Sequence, residues 1–128
     1  MQITKFWKWF FPVTSIFLVL GCNHVDEMTP RSFVSMAVGE LDQRRELIAD
    51  ALSKGKVVPI AGPLTLGANE KIKLLPIDFG WVTSSGAIIV HSKKYDVIVI
   101  QEPHVSPQKV TWSCVVYPVE AKPKLCGT

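Results

Sequence analysis

The sequence predicts an α+β fold, one long N-terminal helix packed on a mostly antiparallel β-sheet. Three observations carry that expectation. Apolar residues recur at helical spacing between Thr29-Pro30 and Gly55. Past Gly55 the period shortens to two, and prolines and glycines cut the chain into short extended segments. Strands that all follow a single helix leave antiparallel pairing as the simple arrangement. With 128 residues, the chain has room for one such domain.

The helix is expected to open at Thr29-Pro30, a side-chain cap followed by a proline in the first turn, where its missing N–H costs nothing. It is expected to run to Ser53 or Lys54, with Gly55 as the left-handed stop. Phe33, Ala37, Leu41, Ile48 and Leu52 form the apolar stripe, widened by Met36, Leu47 and Ala51. Gly39 marks a kink or a close backbone contact within it. Glu40, Asp42, Arg44, Arg45, Glu46 and Asp50 fall largely outside the stripe. The Arg44-Arg45 pair reads as a solvated face with intrahelical ion pairs, and a site for an anionic partner is the sharper alternative.

Lys56 to Ile60 reads as a short strand, which Pro59 confines to an edge or an end. Pro63 to Asn69 is turn-rich, and Lys71 to Ile77 alternates in part. Trp81-Val82-Thr83, Ser84-Ser85-Gly86 and Ala87 to His91 make a hairpin. Tyr95 to Gln101 is a β-branched strand and Gln108 to Tyr117 another. In the last, Val110, Trp112, Cys114 and Val116 share one face and are expected to point to the core.

The first 21 residues have the parts of an export signal. Lys5 and Lys8 supply the positive start, and Phe10 to Leu20 the apolar stretch. As a helix that stretch would be about 17 Å long, short of the ~30 Å of hydrocarbon in a bilayer. Leu18-Val19-Leu20-Gly21-Cys22 resembles the lipobox of bacterial lipoproteins. The resemblance implies a diacylglyceryl group on Cys22, cleavage before it, and a mature chain in the cell envelope. Asn23, rather than an aspartate, follows the cysteine, which favours the outer membrane in a Gram-negative host. Residues 22–28 then form a polar leash and 29–128 the head. Losing Lys5 and Lys8 lowers the formal charge from +3 to +1, so nothing in the balance favours nucleic acid.

Cys114 and Cys126 remain as an even pair, for which a disulfide is the default in an exported chain. A metal site would need two more ligands, and a redox pair more usually reads Cys-x-x-Cys.

From Gly80 onward the order of features resembles the globular head of type IV pilins. The run Gly80-Trp81-Val82-Thr83-Ser84-Ser85-Gly86-Ala87-Ile88-Ile89-Val90 is followed by Val97-Ile98-Val99-Ile100 and Pro103. Then come Val110-Thr111-Trp112-Ser113-Cys114 and the closing Ala121-Lys122-Pro123-Lys124-Leu125-Cys126. The resemblance implies a long helix on an antiparallel sheet and an exposed C-terminal disulfide loop used in contacts between proteins. The front of the chain departs from that family, because its apolar stretch precedes the cut and polar Asn23, His24, Asp26 and Glu27 follow. It lacks the helix by which a pilin enters its fibre.

The ionisable residues assemble no recognisable chemistry. His24, His91 and His104 lack a second ligand at i+2 or i+4, so no metal is expected. There is no Gly-x-Ser-x-Gly, phosphate loop or dinucleotide fingerprint, so neither cofactor nor small-molecule substrate is expected. Ser84-Ser85-Gly86 is a turn rather than a nucleophile. The proline-stiffened stretch Glu102 to Gln108, with His104, is a candidate contact loop. The stapled tail, with Tyr117, Glu120, Lys122 and Lys124, ranks above it. Together these point to a non-enzymatic envelope lipoprotein that contacts another protein, a pilus or pseudopilus component. The alternative is an immunity or inhibitor lipoprotein that neutralises a toxin.

Overall fold

The computed structural model describes residues 28–64 and 75–126. Cys22, the signal segment, the leash up to Glu27 and the stretch from Lys71 to Leu74 lie outside the described residues. Among the described residues, two helices, α1 (Pro30–Glu40) and α2 (Asp42–Ser53), precede five strands. The strands are β1 (Gly62–Pro63), β2 (Phe79–Val82), β3 (Ile88–Ser92), β4 (Val97–Val105) and β5 (Val110–Tyr117). They form one antiparallel sheet in chain order. Two 3₁₀ turns, Val119–Ala121 and Lys124–Cys126, close the described chain.

The expectation of one long helix is overturned. The chain leaves helical geometry at Leu41, with φ −87° and ψ 1°, and divides into two helices of 11 and 12 residues. The cause is local and tertiary together. Gly39 lowers the cost of departing from helix two residues earlier, and a Cβ placed on it would meet nothing within 4 Å, so it serves no close contact. The Val38 carbonyl at the break accepts a bond from Arg45 Nη1 at 2.6 Å. A side chain inserted into the helical ladder in this way is a recognised origin of kinks. The same Nη1 reaches Gln101 Oε1 on β4 at 3.1 Å, and Nη2 reaches Asp42 at 3.1 Å. Arg45 makes the expected intrahelical ion pair with Asp42, but its side chain, 15% exposed, is turned to the sheet rather than to solvent.

The outer limits of the helical segment are as expected. Thr29 Oγ1 accepts from the Ser32 N–H while Ser32 Oγ accepts from the Thr29 N–H, a reciprocal cap. At the far end Gly55 sits at φ +65°, and the Lys56 N–H returns to the Ala51 carbonyl, a Schellman closure. The expected stripe holds in its main line: Phe33, Ala37, Leu41 and Ile48 are buried and Leu52 packs against the core. Val34 and Val38 of α1 and Ala51 of α2 are buried as well, with Leu41 at the break, whereas Met36 and Leu47 are about half exposed.

Both helices cover one face of the sheet. They pack on Val82, Ile88, Val90, Val97, Val99, Cys114 and Val116, the alternate residues of β2 to β5. The expected strand from Lys56 to Ile60 is absent, and those residues run as coil and turn. β4 extends through Pro103 to Val105, so Glu102 to Gln108 is no loop. Only Ser106 to Lys109 turns, with the Ser106 N–H bonded to the Lys109 carbonyl. Pro103 is tolerated because β3 pairs with β4 no further than Gln101, which leaves the strand one neighbour there. The Cys114–Cys126 disulfide is formed, with Cα atoms 5.3 Å apart.

Candidate functional site

Among the described residues, helices cover only one side of this sheet, and strands alternate their side chains between sides. The opposite residues of β2 to β5 therefore face outward, and many of them are large and apolar. The pairing register aligns Trp81, Ile89, Ile100 and Val115 in one row across four strands. Next to it lies a second row of Phe79, His91, Ile98 and Tyr117. Trp81, Ile98 and Val115 are each 39% exposed, Phe79 49% and Tyr117 60%. The Phe79 and Trp81 rings stack in near-parallel planes, with centroids 6.3 Å apart. Three strand spacings make each row about 14 Å wide.

Polar groups bound this apolar field at one end. Beyond Ile100 and Val115 the register continues to Glu102 with Ser113, then His104 with Thr111. His104 Nε2 and Ser113 Oγ lie 3.0 Å apart, which ties these two rows together. An apolar centre with a polar rim is the usual anatomy of a protein-contact patch.

The residues picked from the sequence divide between places. Tyr117 belongs to the apolar field, while His104 sits at its polar margin, six residues along β4 from the partner of Tyr117. That is roughly 20 Å at strand rise. Glu120, Lys122 and Lys124 belong to the tail, which the Cys114–Cys126 disulfide staples as expected and which is also packed onto the head. Ala121, Pro123 and Cys126 are buried, and Arg31 Nη2 bonds the Glu120 carbonyl at 2.9 Å, holding the tail against the start of α1. Glu120 and Lys124 remain exposed and Lys122 is half-buried.

Sequence reasoning missed the apolar field itself, although a signal was present. Val97-Ile98-Val99-Ile100 and Ile88-Ile89-Val90 are apolar at both parities, which requires either cover on two sides or an open apolar side. Among the described residues, helices supply only one layer.

The described surface also carries two shallow grooves. One, of about 390 Å³, lies between Thr29, Pro30 and Arg31 and the tail residues Pro118, Glu120 and Ala121. The other, of about 420 Å³, lies at the opposite end between Ser53 and the turn from Val105 to Lys109. There Ser106 Oγ donates to the Lys109 carbonyl at 2.7 Å, so its hydroxyl proton is committed to the turn. Among the described residues no group of three or more His, Cys, Asp or Glu is placed to hold a metal ion. Nor is any helix among them long and apolar enough to cross a membrane. Comparison with protein-family models, with curated proteins and with solved structures finds no match.

Proposed function

We propose that the chain is a lipid-anchored envelope protein whose head makes non-enzymatic contact with another protein through the open face of its sheet. The observation that carries this reading is the outward row of Trp81, Ile89, Ile100 and Val115, flanked by Phe79, Ile98 and Tyr117. Large side chains in this arrangement lose solvent when a second apolar surface meets them, and aromatic anchors dominate such contacts. The anchor rests on the lipobox-like residues ending at Cys22, and the outer membrane on Asn23. The partner class, a type IV pilus or pseudopilus subunit, rests on the likeness carried by Gly80 to Cys126. The helical part of that likeness is withdrawn with the long helix.

Site-specific photocrosslinking in native envelopes tests the contact. A crosslinker at Ile100 or Val115 is expected to give one discrete protein adduct, and a crosslinker at Gln108, away from the field, none. Pilus or pseudopilus subunits in the adduct support the partner class; a secreted toxin turns the reading to an immunity protein that uses the same face. Identical adducts from all three positions, or none, overturn the contact face. The anchor is tested separately: Cys22→Ser is expected to give an uncleaved or soluble product, and an unchanged mature membrane-bound product refutes it.

A further inference from the structure

Three separate segments meet at one end of the head. The start of α1 reaches the tail through Arg31 and the Glu120 carbonyl. Phe33 stacks on Tyr95 in the β3–β4 turn, with ring centroids 5.2 Å apart. That turn neighbours the last residue of β5, because Ile98 pairs with Tyr117. The chain arriving from Cys22 enters here as well, at Thr29.

Charge is uneven along the molecule. This end carries Arg31, Lys93, Lys94, Lys122 and Lys124 against Asp78, Asp96 and Glu120. Elsewhere the described residues hold five cations and five carboxylates, so the described excess of +2 lies wholly at this end. Two apolar side chains stand out among the cations, Val119 at 68% exposure and Leu125 at 60%. Cations surrounding protruding apolar residues suit the headgroup zone of an anionic bilayer, where the charges meet phosphates and the apolar groups enter the acyl boundary.

The leash decides what can meet this end. Six residues separate Cys22 from Thr29, a reach of about 20 Å at full extension. β4 alone has nine residues, about 30 Å. A head whose Thr29 is held within that reach presents its entry end to the lipid. We infer that this end, Arg31, Lys93, Lys94, Lys122 and Lys124 around Val119 and Leu125, is a second membrane contact that seats the head upright on anionic phospholipid. The open sheet face then stands along the bilayer normal, clear of the lipid. The orientation rests on the anchor proposed above, whereas the affinity of the surface for lipid does not.

Lysine labelling with a water-soluble acylating reagent tests the inference on protein isolated from envelopes, whatever its modification. It is compared in phosphatidylethanolamine–phosphatidylglycerol vesicles, in phosphatidylcholine vesicles and in detergent. In the anionic vesicles Lys93, Lys94, Lys122 and Lys124 are expected to label about fivefold or more slowly than in detergent. This corresponds to about 1 kcal/mol per surface cation. Lys54, Lys56 and Lys109, at the other end, are expected to keep their rates. Val119→Asp with Leu125→Asp is expected to remove the protection of Lys93 and Lys94. Uniform labelling at both ends, or protection that survives this double substitution, overturns the inference. An intact mass without lipid refutes the anchor alone, because selective protection in that product still upholds the surface and uniform labelling still overturns it.

Discussion

Replacing Arg45 by methionine removes the guanidinium while keeping an unbranched apolar stem, so it isolates the polar link between the helix break and the sheet. Arg45 Nη1 donates to the Val38 carbonyl at 2.6 Å and to Gln101 Oε1 at 3.1 Å, and Gln101 is only 4% exposed. Hydrogen bonds from a charged donor contribute about 1.5–3 kcal/mol each. The Val38 carbonyl keeps a weaker bond from the Leu41 N–H at 3.3 Å, so its loss falls at the low end. The Asp42 partner is largely exposed and adds little. The expected cost is about 2–4 kcal/mol, and a domain of this size loses roughly 10–25 °C of melting temperature for it. Urea unfolding of the protein, followed by circular dichroism, measures the change. Gln101→Leu in the Arg45→Met background leaves no buried acceptor wanting a donor. The double variant is therefore expected to be less destabilised than the sum of the singles by about 1–3 kcal/mol. A single variant within about 0.5 kcal/mol of wild type, the range of an exposed arginine, would refute Arg45 as the link across the break.

Removing the staple with Cys114→Ala and Cys126→Ala opens a loop closed at a sequence separation of 12, with an expected cost of about 3 kcal/mol. Reduction and alkylation of the native chain should add two labels at these residues by mass, and free thiols in fresh protein would contradict the bond. Gly86→Ala should cost about 1–3 kcal/mol in a thermal melt, because its new Cβ would lie 2.7 Å from Ile48 Cγ2 at a backbone φ of +96°. Gly55→Ala, at φ +65° with open space around it, carries backbone strain alone and should cost less; equal losses would refute the packing explanation. Thr29→Ala should cost about 1 kcal/mol by breaking the reciprocal cap, and an unchanged unfolding midpoint would show the helix start to be held by packing instead.

Where the sequence could be read, the controlling physics was local. Thr29-Pro30 and Gly55 set helix limits through their own backbone and side-chain bonds, and the structure has its helical segment between them. The turn at Ser84-Ser85-Gly86 and the core-facing run of Trp112, Cys114 and Val116 follow from turn chemistry and period-two alternation. The pairing of Cys114 with Cys126, expected from the sequence, is formed. What the tertiary structure alone decided involves partners far apart in the chain. The helix divides at Leu41 because Arg45 satisfies Val38 and a glutamine 56 residues away, a bond that no window of helical spacing contains. The tail is tied to the start of α1 because Arg31 bonds the Glu120 carbonyl from 89 positions away. The side of the sheet left open was hidden for the same reason. Both parities of β3 and β4 are apolar, and only the placement of two helices on one layer determines which of them meets water.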